Sequence, residues 1–187
     1  MSTIPTAPGL PFDWPALTER AQGPFRASIK AYLGRRWGQG DEAEELAGRV
    51  IGSGEVGWTE GLEERGQPWM ATHPLAVALR DLRGGLRTLI RRWTGLGPPK
   101  DGKKALRLSK ETHGGAELGT LVLGDAPAAF AAAAQGAPLL IVEGEVDTLL
   151  ALALVKAGLI QQADYPVGSQ ALPWQAKDQR VELATTE

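Results

Sequence analysis

Apolar residues recur at helical spacing in three stretches of the chain. Phe25, Ile29, Tyr32 and Leu33 mark one face of a helix over residues 24–36. Ala43, Leu46, Ala47 and Val50 do the same for a helix from Asp41, where Asp41 and Glu44 make a capping-box-like start and Gly52, Gly54 and Gly57 make a terminating loop. Val146, Leu149, Leu150, Ala153 and Leu154 give the third stripe, which Gly158 ends. Between them the period changes to two. Leu75, Val77 and Leu79 alternate with small residues, Asp81 to Gly85 supplies turn chemistry, and Leu86 to Trp93 returns as a second strand, a hairpin with a longer loop than the tightest type. Ala105 to Leu108 reads as a short third strand, and Leu118 to Leu123 as a further strand or turn. Asp125 to Gln135 reads as a helix capped by Asp125, with Pro127 in its first turn and Gly136 as its stop. Ala163 to Val167 is expected as the last strand, entering Gly168 to Leu172. Residues 1–15 read as an extended lead-in docked by Phe12 and Trp14.

The segment Pro138 to Leu154, PLLIVEGEVDTLLALAL, organises the rest. Leu139 to Val142 is too short for a core helix and rich in branched residues, so it predicts a buried strand. Gly144 permits a sharp exit into the third helix. Glu143 therefore falls at the carboxyl end of a strand, where open α/β sheets place their ligands, and Asp147 falls in the first helical turn. Magnesium typically takes one or two carboxylates together with substrate phosphates, and this pair fits that role. Equally open on spacing alone is a plainer reading, in which Asp147 complements the helix dipole and Glu143 is a solvated turn residue.

Composition narrows the classes. The chain has 187 residues and 43% hydrophobic residues, enough for one ordinary domain or two small ones with a real core. It has no cysteine, so disulfides, thiolate metal sites and a zinc ribbon are excluded and a cytoplasmic setting is expected. No apolar run approaches membrane-spanning length, and the first residues lack a signal-peptide pattern. Net charge is −2, but between Arg80 and Lys110 ten bases face two acids, whereas Asp41 to Glu64 holds eight acids and one base. The basic stretch suits a polyanion, or is a solvated β-surface balanced by the acidic segment beside it. His73 and His113 are the two histidines, and their spacing supports no metal site; His113 beside Gly114-Gly115 reads as a turn residue. The six tryptophans are dispersed and read mostly as core or subdomain anchors, with stacking on a base the alternative for Trp93 beside Arg91 and Arg92.

The segment LLIVEGEVDTLLAL resembles the first motif of the Toprim domain in bacterial-type and phage or plasmid DNA primases. In that family a strand ends in Glu-Gly with an Asp three residues after the Gly; the Glu is the catalytic acid/base and a metal-site residue. The resemblance gives that role to Glu143, with Asp147 supporting a Mg²⁺ (or Mn²⁺) ion. Upstream, RTLIRRW is similar to the family's Arg strand, with Arg92 the best match and Arg91 the next. KKALRLSKET is similar to its Lys segment, with Lys104 matched and Lys103 and Arg107 beside it, and HGGAELG to its Gly-rich turn. Downstream, Gly168 and Ser169 occupy the family's Gly-Thr positions, a backbone-rich turn suited to phosphate contact. More loosely, YLGRRWGQGDEAEELAGRVIGSGEVGW is similar to the family's helical lead-in.

This chain departs from the family at Ala105, which replaces an aromatic, and at Arg107 or Leu108, where Asn is expected; both bear on nucleotide specificity more than on fold. A complete Toprim domain continues to a strand ending in Asp-x-Asp, but residues 173–187 carry Asp178 alone. The chain is thus expected to be a piece of a longer enzyme, to be completed by another chain, or to be degenerate. The implied fold is α+β: a lead-in (1–15), a small helical N-terminal subdomain (16–70), a β-rich basic segment (71–124), a Rossmann-like α/β Toprim half-domain (125–172) and a tail (173–187). The implied function is a DNA primase polymerase domain that joins ribonucleotides on a single-stranded DNA template, with a replicative helicase or second chain as further partner and no membrane. The alternatives are a Toprim nuclease or topoisomerase-like module and a non-catalytic nucleic-acid-binding protein.

Overall fold

In the computed structural model the chain is α+β. The structure describes residues 12–38, 40–61, 63–64, 67–68, 72–81, 83–95, 97–107, 121–123, 126–136, 140–141, 144–157 and 167–171. Three helices come first: α1 (Trp14–Gln22), α2 (Arg26–Trp37) and α3 (Asp41–Gly52). Strands β1 (Val56–Trp58), β2 (Glu63–Glu64), β3 (Gln67–Pro68), β4 (Leu75–Arg80), β5 (Leu86–Arg92), β6 (Ala105–Arg107) and β7 (Leu121–Leu123) follow. Then come α4 (Ala126–Ala133), β8 (Leu140–Ile141), α5 (Glu145–Lys156) and β9 (Val167–Ala171).

The sheet runs in the order β6-β5-β4-β7-β9-β8. β5 covers one edge of β4 from Leu75↔Arg92 to Arg80↔Leu86. A strand has only two edges, so β1 (Val56↔Val77 to Trp58↔Leu75) and β7 (Val122↔Arg80) share the other, end to end. β4 is accordingly buried at all six positions. The expected hairpin of β4 and β5 is present, with a bulge at Arg87 where the register shifts. β8 and β9 are parallel, and α5 lies between them in sequence, a βαβ unit added to an otherwise antiparallel sheet.

Strand alternation divides the core. Val56, Trp58, Leu75, Val77, Leu79 and Ile90 point to the face that holds α2, α3 and α5. Ala76, Ala78, Leu86 and Leu89 point to the opposite face, under Trp14 and Leu17 of α1. Small residues on that face let α1 approach closely. A Cβ at Gly57 would lie 2.7 Å from the Leu17 Cβ, so Gly57 is a close-approach residue inside β1 and not the expected loop. Residues 14 and 15, expected to close the lead-in, instead open α1, with Asp13 accepting a hydrogen bond from the Ala16 N–H. Trp14 does dock as expected, buried and donating from Nε1 to the Gly54 carbonyl at 3.1 Å.

The capping box expected at Asp41 is not formed. Gly40 is the N-cap, and Asp41, Glu42 and Glu44 lie within the first turn, where their charges complement the helix dipole without capping it. Helix α5 is buried on more sides than a single stripe implies: Val146, Leu149, Ala151, Leu152 and Ala153 are all in the core. Among the described residues no helix is long and apolar enough to cross a membrane.

Candidate functional site

The turn into α5 is built on Gly144. Its φ of 97° is open to glycine at no steric cost, as the sharp exit from the strand requires. Its carbonyl accepts from the Thr148 N–H at 3.1 Å and from the Thr148 hydroxyl at 2.8 Å, which fixes the start of the helix. Glu145 and Asp147 lie in the first turn, beside the unpaired N–H groups of the helix. Asp147 is exposed, and its Oδ2 would be 3.8 Å from a Cβ placed on Gly144. Its carboxylate therefore lies close over the turn. Glu143, the residue before that turn, is outside the described residues.

Strand alternation then selects which basic residues meet this helix. Arg92 stands opposite Leu75 and Ala105, on the helical face. Its Nη1 donates to Glu145 Oε2 at 3.0 Å, with the two side chains only 15% and 18% exposed. Arg91 stands opposite Ala76 and Leu106, on the other face of the sheet. The two adjacent arginines therefore serve different faces, and Arg92 is the one brought to α5. Arg107 stands opposite Ile90, on the helical face, and is exposed.

Lys103 and Lys104 lie in the connection from β5 to β6 with exposed side chains. Their backbone is pinned. The Lys104 carbonyl accepts from the Trp93 N–H at 2.9 Å, and the Lys103 carbonyl from His73 Nε2 at 2.8 Å. A carbonyl can only accept, so Nε2 carries the proton, and the neutral ring then accepts at Nδ1 from the Thr72 hydroxyl at 2.8 Å. Burial is the main cause that lowers the His73 pKa from 6.5; the bond to Lys103 opposes it, and the charges of Arg91, Arg92 and Lys100 add to it. His73 is thus a structural tie under the basic connection.

The basic stretch is less free than its charge count implies. Arg80 pairs with Glu55 at 3.2 Å in the interior, Arg87 with Asp81 at 2.7 Å, and Arg92 with Glu145. Lys100, Lys103, Lys104 and Arg107 remain exposed, clustered along the edge formed by β6 and the loop before it. Burial raises the Asp81 pKa, but hydrogen bonds from the Gly85 N–H, the Arg87 side chain and the Arg83 N–H together bring it below 3.8.

Gly168 and Ser169 are not the turn they were expected to form. They lie inside β9, with Gly168 paired to Ile141 and Ser169 to Leu123. Each is thus paired in a strand ladder, Gly168 to β8 and Ser169 to β7, and does not form an open turn. The described strand is also shifted toward the C-terminus of the expected one. Leu108, Ser109, Glu111, Thr112, His113, Asp125 and Asp178 fall outside the described residues. Among the described residues no three His, Asp or Glu side chains group as a metal site. Asp147 is the described carboxylate whose hard oxygens and exposure suit a magnesium ion.

Two participants were missed in the sequence, Glu145 and His73. Glu145 sits between the two motif acids and carried no spacing signal, while a lone His before a strand has no pattern that reveals its partner.

No protein-family model matches the chain. No curated protein matches it either. Among solved structures it is similar to the E. coli primase catalytic core, at 15% sequence identity and a TM-score of 0.40, over 84% of this chain and 51% of that one. The chain spans about half the length of that structure.

Proposed function

We propose that this chain is a primase-type Toprim nucleotidyl-transferase domain, or the part of one that carries its first acidic motif. The observation that supports this most is the meeting of Arg92 with the first turn of α5, the helix that follows Glu143-Gly144. A motif built for a cation and a strand built for phosphate are thereby neighbours. On this reading Glu143 would act as acid/base and, with Asp147, would hold Mg²⁺ or Mn²⁺. When bound, the cation supplies Lewis-acid stabilisation to phosphoryl oxygens.

The chain's own residues bind and orient. Arg92 offers a planar guanidinium to a phosphate, and Arg107 adds charge on the same face. Lys103 and Lys104, solvated on a pinned backbone, contact the template strand as point charges, and Arg91 serves the other face. A replicative helicase or a second chain is the further partner on this reading.

The test is labelled ribonucleotide incorporation on single-stranded DNA with Mg²⁺ or Mn²⁺. Template-dependent RNA lost in Glu143→Gln is the expected result. The exposed edge of Lys100, Lys103, Lys104 and Arg107 also supports a second reading, a non-catalytic nucleic-acid binder. No product, together with DNA binding that is salt-sensitive and independent of metal, would select that reading. Cleavage of supercoiled DNA would select a nuclease or topoisomerase-like module.

A further inference from the structure

Two arginines of this sheet are paired to glutamates, in different ways. Arg80 grips Glu55 at two points, Nε to Oε2 at 3.4 Å and Nη2 to Oε1 at 3.2 Å, and spends Nη1 on the Gly84 carbonyl at 3.3 Å. That guanidinium is fully engaged and structural. Arg92 touches Glu145 through Nη1 alone, while its Nε is buried with no hydrogen-bond partner. A guanidinium is a rigid fork of donors, and leaving one buried and unmade is unfavourable. The carboxylate of Glu145 meets half of that fork. Glu145, tethered to its helix, does not reach the second donor as Glu55 does on Arg80, whereas a free phosphate can orient to meet two donors at once.

We infer that Glu145 is a built-in occupant of the Arg92 phosphate site, held there until a phosphate group displaces it. The inference rests on the reading of Arg92 as a phosphate-binding residue. Position favours the exchange. Glu145 lies in the first turn of α5, where the helix field stabilises an anion, and an arriving phosphate meets the same field. Two anions on one guanidinium repel each other, so an arriving phosphate competes with Glu145 for Arg92. Some exposure remains at both side chains, 15% and 18%, and gives the phosphate a route in. In the absence of ligand the pair keeps a mostly buried cation neutralised. Glu145 thus acts as a positioning residue, setting the affinity of the site without contributing to the reaction. The phosphate belongs either to a nucleotide or to a nucleic-acid backbone.

The experiment is a calorimetric titration in EDTA of the wild type, Glu145→Gln, Arg92→Gln and the double variant. The probes are ATP and, separately, a short oligothymidylate without terminal phosphates. Glu145→Gln should tighten binding of at least one probe by about tenfold, the equivalent of one charge-assisted contact no longer contested. Arg92→Gln should weaken it, and the double variant should show no gain. A gain for ATP alone assigns the site to the nucleotide, and a gain for the oligonucleotide alone assigns it to the strand. A folded Glu145→Gln that binds neither probe more tightly overturns the inference. Where that variant does not fold, Glu145→Asp, which keeps the charge but withdraws it by one methylene, must show a gain in the same direction. In the wild type, the Arg92 Nε–H resonance must shift on addition of the probe that gains; an unmoved resonance contradicts displacement. These readouts need no turnover. A gain in affinity with no RNA synthesis would sink the enzymatic reading and leave this one standing.

Discussion

Gly57, His73 and Arg80 hold the sheet in place by three different means, and each gives a separate prediction. At Gly57 the constraint is space: a methyl group would press on the Leu17 Cβ at 2.7 Å and on its backbone at 3.3 Å. Gly57→Ala should destabilise by about 1–3 kcal/mol in urea unfolding, because α1 must lift from the sheet. At Arg80 the constraint is charge, with the pair to Glu55 only 5% and 13% exposed. Arg80→Gln should cost about 3–5 kcal/mol, because the mostly buried Glu55 is left without its ion pair. At His73 the constraint is a proton. Its folded-state pKa lies below 6.5, so the unfolded chain binds more protons than the native one in the window just below that value. Stability should therefore be constant above the window and fall as pH drops through it. His73→Gln should remove that slope from a series of urea midpoints measured between about pH 8 and pH 5. An unchanged slope would place the titration elsewhere.

At the scale of the elements, α5 joins the N-terminal helices to the C-terminal strands. It packs against α3 and β9, and Leu149 at its centre has no exposed surface. Leu149→Ala should cost about 2–5 kcal/mol, the range for a cavity under a fully buried leucine. The loss should be read by denaturant titration with circular dichroism. This helix and the β4–β5 hairpin were legible because their apolar periods are clean. Helix α1 and strand β1 were not. The α1 sequence WPALTERAQ has only two large apolar residues, and β1 is three residues centred on a glycine. Gly57 looked like a loop because its reason is a helix packed across it, a tertiary fact that spacing cannot carry. The Asp41 capping box was a local pattern overtaken by Gly40 at the cap. Gly168-Ser169 failed as a turn for a related reason, since the pairing of β9 with β7 and β8 is long-range.

At the scale of the molecule, the sheet presents basic side chains on two faces and along one edge. The helical face brings Arg92 to α5, while Lys100, Lys103 and Lys104 line the approach along β6. The sequence named the Arg strand and the Glu-Gly turn separately; that Arg92 meets the first turn of α5, through Glu145, needed the fold. The opposite placement of Arg91, and the neutralisation of three arginines, needed the strand register and the fold. If the edge holds nucleic acid through phosphates, affinity for single-stranded DNA should fall with salt. The slope of log affinity against log salt should be shallower by about 0.7 for each of Lys103→Ala and Lys104→Ala. A slope unchanged in both would move the nucleic acid off this edge. The central claim concerns the carboxylates of the turn, and calorimetric titration of Mg²⁺ or Mn²⁺ into the wild type and Glu143→Gln tests it most directly. The account predicts saturable binding by the wild type that is lost in Glu143→Gln and weakened in Asp147→Asn. Binding by the wild type that Glu143→Gln leaves unchanged, or no binding by any of the three, would contradict it.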